Sequence, residues 1–243
     1  MKTKILEVAF DNLLPHEAIE KAVSFLYNDT TSTIFTPNPE MVMLAQKDAE
    51  FAEVLGTADL VVPDGIGIVY ASRLTDSKIS RRVPGIELLE GILNKIKDTD
   101  YSVYFLGAAP GVAEDAAAKM QEKYPGLKVC GSYHGYFDDA DNDHIIAEIN
   151  AATADVVLVG LGFPRQERWI FQHKNLIDAK IMIGVGGSFD VLSGRLRRAP
   201  RVFQKLGLEW LYRLLRQPSR LLRQTVLLKF VILCVYKKIR GEF

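Results

Sequence analysis

The chain has 243 residues, of which 48% are hydrophobic and 9% aromatic. This length suits one large or two small domains, and the composition is that of an ordinary globular protein. The first residues lack the basic start and long apolar run of a secretion signal, so Cys130 and Cys234 are expected to be free thiols in a reducing compartment. The four histidines show no metal-ligand spacing.

A formal net charge of zero hides an asymmetry between two parts of the chain. Residues 195–243 contain thirteen Lys or Arg and two acids, a net charge of +11, so residues 1–194 carry −11. We therefore divide the chain into a body, 1–194, and a C-terminal appendage, 195–243. A basic appendage predicts an anionic partner, and nucleic acid, a phosphorylated ligand and an anionic membrane all stay open on this evidence.

Apolar periodicity and turn residues predict alternating helices and strands along the body. The first half contains, in chain order, a helix over 15–28, a strand over 33–36, a helix from Glu40, a strand over 60–62, a helix over 66–74, a basic loop over 78–82 and a helix over 84–97. The second half contains a strand over 101–106, a helix over 112–123, a strand over 127–130, a polar loop over 133–143, a helix over 143–152, a strand over 155–159, a helix over 165–173 and a strand over 180–183. This alternation predicts an α/β fold with a Rossmann-like, mostly parallel sheet flanked by helices.

The appendage is predicted to form two helical stretches, over about 201–216 and 218–240. Residues 225–236 are almost all apolar, but the segment is short and Lys229 interrupts it. A bilayer-spanning helix needs roughly 20 apolar residues. The pattern therefore predicts an interfacial helix at a membrane surface, or a helix that docks on the body.

The strand over 60–62 ends abruptly in Asp64, which is followed by Gly65 and Gly67. Glycines permit a tight turn, so Asp64 is expected at the carboxyl edge of the sheet, facing a crevice. A carboxylate in that position can take a proton from an incoming hydroxyl group. The alternative is an aspartate that only caps the next helix.

Several other predicted strands also end in polar residues or glycines: Thr36 with Asn38, Gly107, 160–166 and 184–190. In a parallel sheet these ends converge on one edge, where ligands bind. Pro164 at a helix start is expected to direct backbone N–H groups toward a phosphate. The segment 65–70 lacks the third glycine of a dinucleotide loop, so NAD is not expected. No Asp-x-Asp follows an apolar strand, so no metal cofactor is expected.

Four arginines of the appendage recur at spacings of three, four and three residues: Arg213, Arg216, Arg220 and Arg223. One continuous helix would place them on one face, although Pro218 interrupts the run. Such a face is either a solvated basic surface or a group of guanidiniums that binds a pyrophosphate or anionic headgroups.

Five segments of the chain resemble the motifs of one family: Thr36-Pro37-Asn38-Pro39-Glu40, Pro63-Asp64-Gly65, Arg81-Arg82-Val83-Pro84-Gly85, Gly160-Leu161-Gly162-Phe163-Pro164-Arg165-Gln166-Glu167 and Val185-Gly186-Gly187-Ser188-Phe189-Asp190. In this order, over about residues 3–223, they resemble the WecG/TagA/CpsF glycosyltransferases, and most of all the TagA-type members. The resemblance implies transfer of N-acetylmannosamine from a UDP-linked donor to undecaprenyl-diphosphate-linked N-acetylglucosamine during wall teichoic acid synthesis. It also implies a β-1,4 product with inversion, no cofactor or metal, and a peripheral position on the cytoplasmic face of the membrane.

The resemblance implies a role for each candidate site residue. Asp64 is expected to be the base, with Thr36 and Gln166 beside the reacting sugar. The residues expected to bind substrate share strand-end, loop or appendage positions: Asn38, Arg82, Tyr136, Gly186, Asp190, Arg213, Arg220 and Arg223. Asn38, Arg82 and the appendage arginines would hold the diphosphate, Asp190 the ribose hydroxyls, and Tyr136 the uracil.

Two other classes of protein are considered beside this one. A nucleotide-sugar epimerase or dehydrogenase would explain the glycines but lacks a complete dinucleotide loop. A non-catalytic nucleic-acid binder would explain the basic appendage but not the polar strand ends. The donor sugar stays open among N-acetylmannosamine, its uronic acid and glucose, and the sequence leaves a homo-oligomer open.

Overall fold

The computed structural model of the chain describes residues 2–205, 207, 209–216 and 221–242. The strands in the described residues are β1 (Lys2–Ile5), β2 (Val8–Asp11), β3 (Ser32–Phe35), β4 (Leu60–Val61), β5 (Ser102–Gly107), β6 (Lys128–Tyr133), β7 (Val156–Gly160) and β8 (Ile181–Gly184). The helices are α1 (Pro15–Ser24), α2 (Pro39–Ala45), α3 (Ala49–Gly56), α4 (Ile66–Ser72), α5 (Gly85–Ile96), α6 (Val112–Lys123), α7 (Asn142–Ala151), α8 (Arg165–His173), α9 (Ser188–Leu192), α10 (Arg201–Lys205), α11 (Glu209–Arg216) and α12 (Leu221–Ile239).

Six of the strands form one sheet in the order β4-β3-β8-β7-β5-β6, and β1 and β2 form a separate antiparallel hairpin. Every neighbouring pair in the six-stranded sheet is parallel. All residues of β3, β7 and β8 are buried, because helices cover both faces of the sheet. The predicted Rossmann-like α/β fold is therefore confirmed, and the six carboxyl ends lie along one edge.

Alternating side chains of the central strands divide the core into two layers. Tyr104, Val157 and Met182 face the layer that contains α2, α3, α7, α8 and α12. Phe105 and Leu158, each one residue further along its strand, face the layer of α1, α5, α6 and α9. Full burial of a large apolar side chain contributes about 1.5–3 kcal/mol, so these two layers fix the strand register and the strand-end loops that follow it.

Helix α12 docks on the body through one side and exposes apolar residues on the other. Phe230 and Cys234 are each 1% exposed and belong to the core layer of α2 and α4. The exposed fractions of Leu228, Val231 and Ile232 are 65%, 55% and 59%. Among the described residues, no helix combines the length and apolarity needed to cross a bilayer.

The structure corrects several predicted elements. The hairpin β1–β2 and helices α3 and α9 were not predicted, and β6 continues to Tyr133, into the segment predicted as a polar loop. The single helix predicted over 201–216 is two helices, α10 and α11. Gly207 lies between them with φ of +71°, a left-handed conformation that ends a helix.

Candidate active site

The candidate site residues lie in loops along the carboxyl edge of the sheet. Asp64 follows β4, Thr36 and Asn38 follow β3, and Gly186 follows β8, which is the strand order along that edge. Neighbouring strands lie about 4.8 Å apart, so the loops of β4 and β8 begin about 10 Å from each other. The topology thus brings together residues that are more than a hundred positions apart in sequence.

Asp64 lies in a turn held between two strand-end loops. The N–H of Asp64 donates to the Pro37 carbonyl at 3.2 Å, and the N–H of Val83 donates to the Pro63 carbonyl at 2.8 Å. Helix α4 begins at Ile66 with Gly65, not Asp64, as its N-cap residue. The alternative in which Asp64 serves as the helix N-cap is therefore wrong, and its half-buried side chain lies at the sheet edge.

Thr36 and Asn38 follow β3 and contact the helices on either side. A Cβ atom on Gly85, the first residue of α5, would lie only 2.9 Å from Thr36 Oγ1, so the helix packs closely on that hydroxyl. Asn38 Oδ1 accepts hydrogen bonds from the N–H groups of Glu40 and Met41 at 2.9 and 3.1 Å. Asn38 is thus the N-cap of α2, a role that the sequence analysis did not assign, and only Nδ2 is left to contact a diphosphate.

A cleft of about 780 Å³ lies at the ends of β5, β6, β7 and β8, and we call it the β5–β8 cleft. Tyr136, Gly186 and Asp190, three residues expected to bind the donor, all line it. Tyr136 is 72% exposed on its rim. Gly107, the neighbour of the lining residue Ala108, has φ of +137°, and a Cβ atom there would collide with the Gly160 carbonyl oxygen. The cleft has the size of a small-molecule site.

Arg165, the first residue of α8, holds the rim of this cleft. Its Nη1 donates to the Gly135 carbonyl at 2.7 Å and its Nη2 to the Phe137 carbonyl at 2.6 Å. The guanidinium also lies 4.5 Å from the centroid of the Phe137 ring. These contacts fix the backbone on both sides of Tyr136. The sequence does not indicate this role of Arg165, because the loop that it contacts is thirty residues away.

The start of α8 differs from the phosphate site that was predicted there. Pro164 is the N-cap residue, and the Phe163–Pro164 peptide bond is cis. The N–H of Gln166 donates to the Gly162 carbonyl at 2.9 Å. This N–H group is used inside the turn and is not available to a phosphate, while the role of the other N–H groups at this helix start stays a prediction.

Gln166 is buried and bound at both ends of its amide. Its Nε2 donates to Glu167 Oε1 at 2.6 Å, and its Oε1 accepts from the N–H of Gly186 at 2.9 Å. Only 5% of Gln166 and 1% of Glu167 are exposed. Burial raises the pKa of Glu167 to about 7, although the hydrogen bond from Gln166 opposes this. Gln166 therefore supports the loop that lines the cleft, in place of the open position beside the sugar that the sequence suggested.

The charges of the β5–β8 cleft suit hydroxyl and amide donors. Its acidic lining residues are Asp138, Asp141 and Asp190. Its arginine, Arg165, is committed to two backbone carbonyls. Carboxylates repel a diphosphate and accept hydrogen bonds from sugar hydroxyls. The cations that would neutralise a diphosphate must therefore come from outside this lining.

Arg82 connects the body to the appendage. Its Nη1 lies 2.9 Å from Glu209 of α11, and its Nη2 donates to the Gln204 carbonyl at 2.8 Å. Arg198 pairs with the same glutamate at 3.2 Å and with Glu87 of α5 at 2.6 Å. The bond from the Val83 N–H to Pro63 holds the loop of Arg82 beside the Asp64 turn, and part of the charge of Arg82 is already compensated by Glu209.

A second cleft, of about 850 Å³, opens beside the Asp64 turn between α4, the loop before α5 and α10, and we call it the α4–α10 cleft. The arginines on its lining are Arg73, Arg81, Arg82 and Arg201. No residue lines both this cleft and the β5–β8 cleft in the described structure. The sequence analysis noted the basic loop but did not place it in a cleft.

Three predicted residues cannot be placed at the site. Arg220 lies outside the described residues, and Arg213 and Arg223 belong to α11 and α12, where the structure describes the backbone and not these side chains. In the described part of the chain, no three His, Cys, Asp or Glu side chains are grouped as metal ligands are.

The parallel sheet and the clefts at its carboxyl edge define a Rossmann-like α/β protein of the class that binds its ligands at that edge. The model of the glycosyl transferase WecG/TagA/CpsF family matches residues 3–242, and the chain belongs to this family of glycosyltransferases. A relative from Staphylococcus aureus (strain MRSA252) is 37% identical over 238 residues, which cover 97% of this chain and 91% of the relative. A second relative, from Staphylococcus aureus (strain MW2), is 36% identical over 238 residues, which again cover 97% of this chain and 91% of the relative. Both are named N-acetylglucosaminyldiphosphoundecaprenol N-acetyl-beta-D-mannosaminyltransferase.

Proposed function

We propose that this chain transfers N-acetylmannosamine from a UDP-linked donor to N-acetylglucosaminyl-diphosphoundecaprenol, with inversion and without a metal ion. The observation that carries the proposal is the position of the Asp64 turn, which lies at the sheet edge next to the α4–α10 cleft and about two strand spacings from Gly186 of the β5–β8 cleft. The names of the relatives supply the acceptor and the sugar. The reaction belongs to the synthesis of the wall teichoic acid linkage unit.

In this reaction Asp64 accepts the proton of the acceptor hydroxyl as its oxygen bonds to the anomeric carbon. The bond from that carbon to the diphosphate oxygen breaks, and UDP leaves with the electron pair. Thr36 contacts the reacting sugar, while Asp190 and Tyr136 bind the ribose and the uracil in the β5–β8 cleft. Because that cleft is rich in carboxylates, Asn38, Arg82 and appendage arginines Arg213, Arg220 and Arg223 stabilise the leaving diphosphate.

The protein works at the cytoplasmic face of the membrane, where it is bound peripherally through the appendage. The exposed apolar side of α12 supports this arrangement, because Leu228, Val231 and Ile232 are all more than half exposed. Lys237 and Lys238 in its last turn add attraction to anionic lipids, worth about 1 kcal/mol per basic residue near the surface. On this proposal residues 1–194 are the catalytic body and 195–243 the membrane-associating unit.

The test is a transfer assay with a short-chain, water-soluble GlcNAc-diphosphate-prenyl acceptor and a panel of donors: UDP-ManNAc, UDP-GlcNAc, UDP-ManNAcA and UDP-glucose. Mass spectrometry identifies the product, and NMR of the new linkage reports the anomeric configuration. Transfer from UDP-ManNAc with a β-linked product is expected. Faster transfer from another donor would replace the sugar in the proposal, and an α-linked product would contradict inversion.

The same assay tests independence from metal ions. Activity is expected to be unchanged by excess EDTA, because positively charged side chains take the place of a cation at the diphosphate. If EDTA abolishes transfer and Mg²⁺ or Mn²⁺ restores it, the metal-free mechanism is wrong.

A further inference from the structure

Three arginine side chains of the α4–α10 cleft have no acidic partner among the described residues. Arg73, Arg81 and Arg201 are exposed on its lining and make no ion pair there, while Arg82 is engaged by Glu209. The acid on the same lining is Glu87, which pairs with Arg198 at 2.6 Å. The cleft therefore holds an excess of positive charge within a concave surface.

This charge suits a ligand with more than one phosphate group. An arginine fork donates parallel hydrogen bonds to phosphate oxygens, and several such groups around one concavity match a diphosphate better than a single anion. The β5–β8 cleft, with three aspartates on its lining, has the opposite character.

The α4–α10 cleft lies between the Asp64 turn at the sheet edge and the side of α4 that contacts α12. Ile66 lines the cleft two residues after Asp64, and the loop of Arg81 and Arg82 is tied to Pro63 by the Val83 N–H bond of 2.8 Å. On its other side α4 contacts α12, where a Cβ atom on Gly67 would lie 4.0 Å from Phe230 Cε1. Tyr70 of the same helix lines the cleft and is 53% exposed.

We propose that the α4–α10 cleft binds the diphosphate of the lipid-linked acceptor, through Arg73, Arg81 and Arg201. This inference rests on the proposed function and adds the acceptor site to it. The acceptor sugar then extends toward Asp64, and the polyprenyl chain leaves past Tyr70 and α4 toward the apolar side of α12. The donor and its own diphosphate occupy the β5–β8 side of the sheet edge.

The experiment compares two soluble acceptors of equal chain length, one with the sugar linked through a diphosphate and one with an uncharged alkyl link. Arg73→Gln, Arg81→Gln and Arg201→Gln should each raise the KM of the diphosphate acceptor about 10-fold, the effect expected for a hydrogen bond to a charged group. The KM of the uncharged acceptor and the Kd of UDP should not change. Lys97→Gln, at the far end of α5, is the matched control and should change neither acceptor.

Anionic lipid headgroups present the same phosphate chemistry, so vesicle binding forms a second arm. If the variants lose binding to phosphatidylglycerol vesicles while the KM of the soluble diphosphate acceptor stays at the wild-type value, the arginines bind the membrane and the inference is wrong. The inference is also wrong if the variants keep both their vesicle binding and the wild-type KM of the soluble diphosphate acceptor. Thermal unfolding of each variant checks that the fold is kept.

A calorimetric titration with geranyl diphosphate separates this inference from the proposed function. Binding that is strong in the wild type and weakened in the three arginine variants supports the cleft as a prenyl diphosphate site, even if transfer fails with every donor. If the wild type is active in transfer and the three variants bind geranyl diphosphate as well as the wild type does, the proposed acceptor site is wrong while the proposed function stands.

Discussion

Gln166 and Glu167 show how burial decides the role of a polar side chain. The amide of Gln166 bonds to Glu167 and to the backbone of Gly186, and Glu167 Oε2 is buried without a hydrogen-bond partner among the described residues. A buried carboxylate with an unsatisfied oxygen is unfavourable, and protonation removes its charge. The Gln166–Glu167 pair therefore holds the Gly186 loop of the β5–β8 cleft. Burial of Glu167 lowers the free energy of unfolding by an amount that depends on pH.

Glu167→Gln should make stability less sensitive to pH. The pKa of Glu167 is raised from 4.5 to about 7 by burial, so between these values the unfolded chain ionises first and the wild type loses stability as the pH rises. Above about pH 7 the loss reaches about 3 kcal/mol, and below 4.5 it vanishes. Glutamine still accepts from Gln166 and does not titrate. Urea unfolding at about pH 5 and about pH 8 should therefore favour the variant by about 3 kcal/mol more at the higher pH.

The control for this prediction is Glu114→Gln, which changes an exposed acid on α6. It should keep the wild-type pH trend. Equal pH trends in wild type and Glu167→Gln would contradict the buried, proton-binding state of Glu167.

Asp64→Asn should remove the base and leave the binding surfaces intact. An amide of the same shape cannot take the hydroxyl proton, and a positioned base contributes about 10²–10⁴-fold to the rate. We expect kcat to fall by that factor while the Kd of UDP, measured by calorimetry, stays the same. Asp76→Asn, in an exposed loop, is the control for the loss of one negative charge. Turnover near the wild-type value would exclude Asp64 as the base.

At the scale of elements, the first residue of α8 couples a helix to a loop. Arg165 donates to the carbonyls of Gly135 and Phe137, which flank Tyr136, so the start of the helix is tied to the cleft rim. A planar fork is needed to reach both carbonyls at once, and a lysine can reach only one. The contact is therefore sensitive to geometry as well as to charge.

Arg165→Lys should weaken donor binding although it keeps the positive charge. We expect the Kd of UDP to rise about 10-fold, because one or two charge-assisted hydrogen bonds that order the rim are lost. At saturating donor, kcat should stay near the wild-type value. Calorimetry gives the Kd and the transfer assay gives kcat. Arg165→Ala, which loses both bonds, should weaken donor binding at least as much as Arg165→Lys; full rescue by lysine would show that charge alone matters.

The sheet could be predicted from sequence because its strands are short apolar runs that end in glycines or polar residues. The hairpin β1–β2 was missed because its strands have only four residues each, and their sequences, Lys-Thr-Lys-Ile and Val-Ala-Phe-Asp, do not alternate polar and apolar side chains. The end of β6 was missed because Gly131 and Ser132 are weak strand formers, and pairing with β5 overrides that preference.

The candidate site was predictable as a list of loops but not as a set of contacts. Parallel topology predicts that Thr36, Asp64 and Gly186 share an edge, and the structure places them there. The cap at Asn38 has a local signal, because Asn precedes Pro39 at the helix start and its partners Glu40 and Met41 are two and three residues away. The inward position of Gln166 has none, since it depends on the Gly186 N–H, twenty residues away. The ion pair between Arg82 and Glu209 joins residues more than a hundred positions apart, which is beyond any sequence period.

At the scale of the whole molecule, α12 has an inner side that is part of the core and an outer side that is apolar and exposed. Phe230 and Cys234 are buried, whereas Leu228, Ile232 and Val235 are 65%, 59% and 43% exposed. Removal of the helix would therefore uncover apolar surface of α2 and α4 as well as any membrane contact. Substitution of the outer side separates these two effects.

The triple variant Leu228→Gln, Ile232→Gln and Val235→Gln should lose vesicle binding and keep its fold. Each side chain contributes roughly 1 kcal/mol or more when it enters the bilayer interface, so loss of all three should lower the partition at least about 100-fold. Its Tm should stay near that of the wild type, because the inner side is unchanged. Sedimentation with phosphatidylglycerol vesicles measures the partition. Leu176→Gln, an exposed apolar residue of the body, is the control, and equal losses would rule out a specific membrane face.

The separate linings of the two clefts have a consequence for the kinetic order of the reaction. Because no described residue lines both, either substrate can enter while the other is absent, and neither has to leave before the second arrives. On the proposed inverting mechanism, direct displacement at the anomeric carbon also leaves no glycosyl group on the protein between donor binding and acceptor binding. Initial-rate plots should then intersect to the left of the ordinate and not run parallel. A dead-end analogue of UDP should be competitive against the donor and noncompetitive against the acceptor, so that excess acceptor cannot relieve its inhibition.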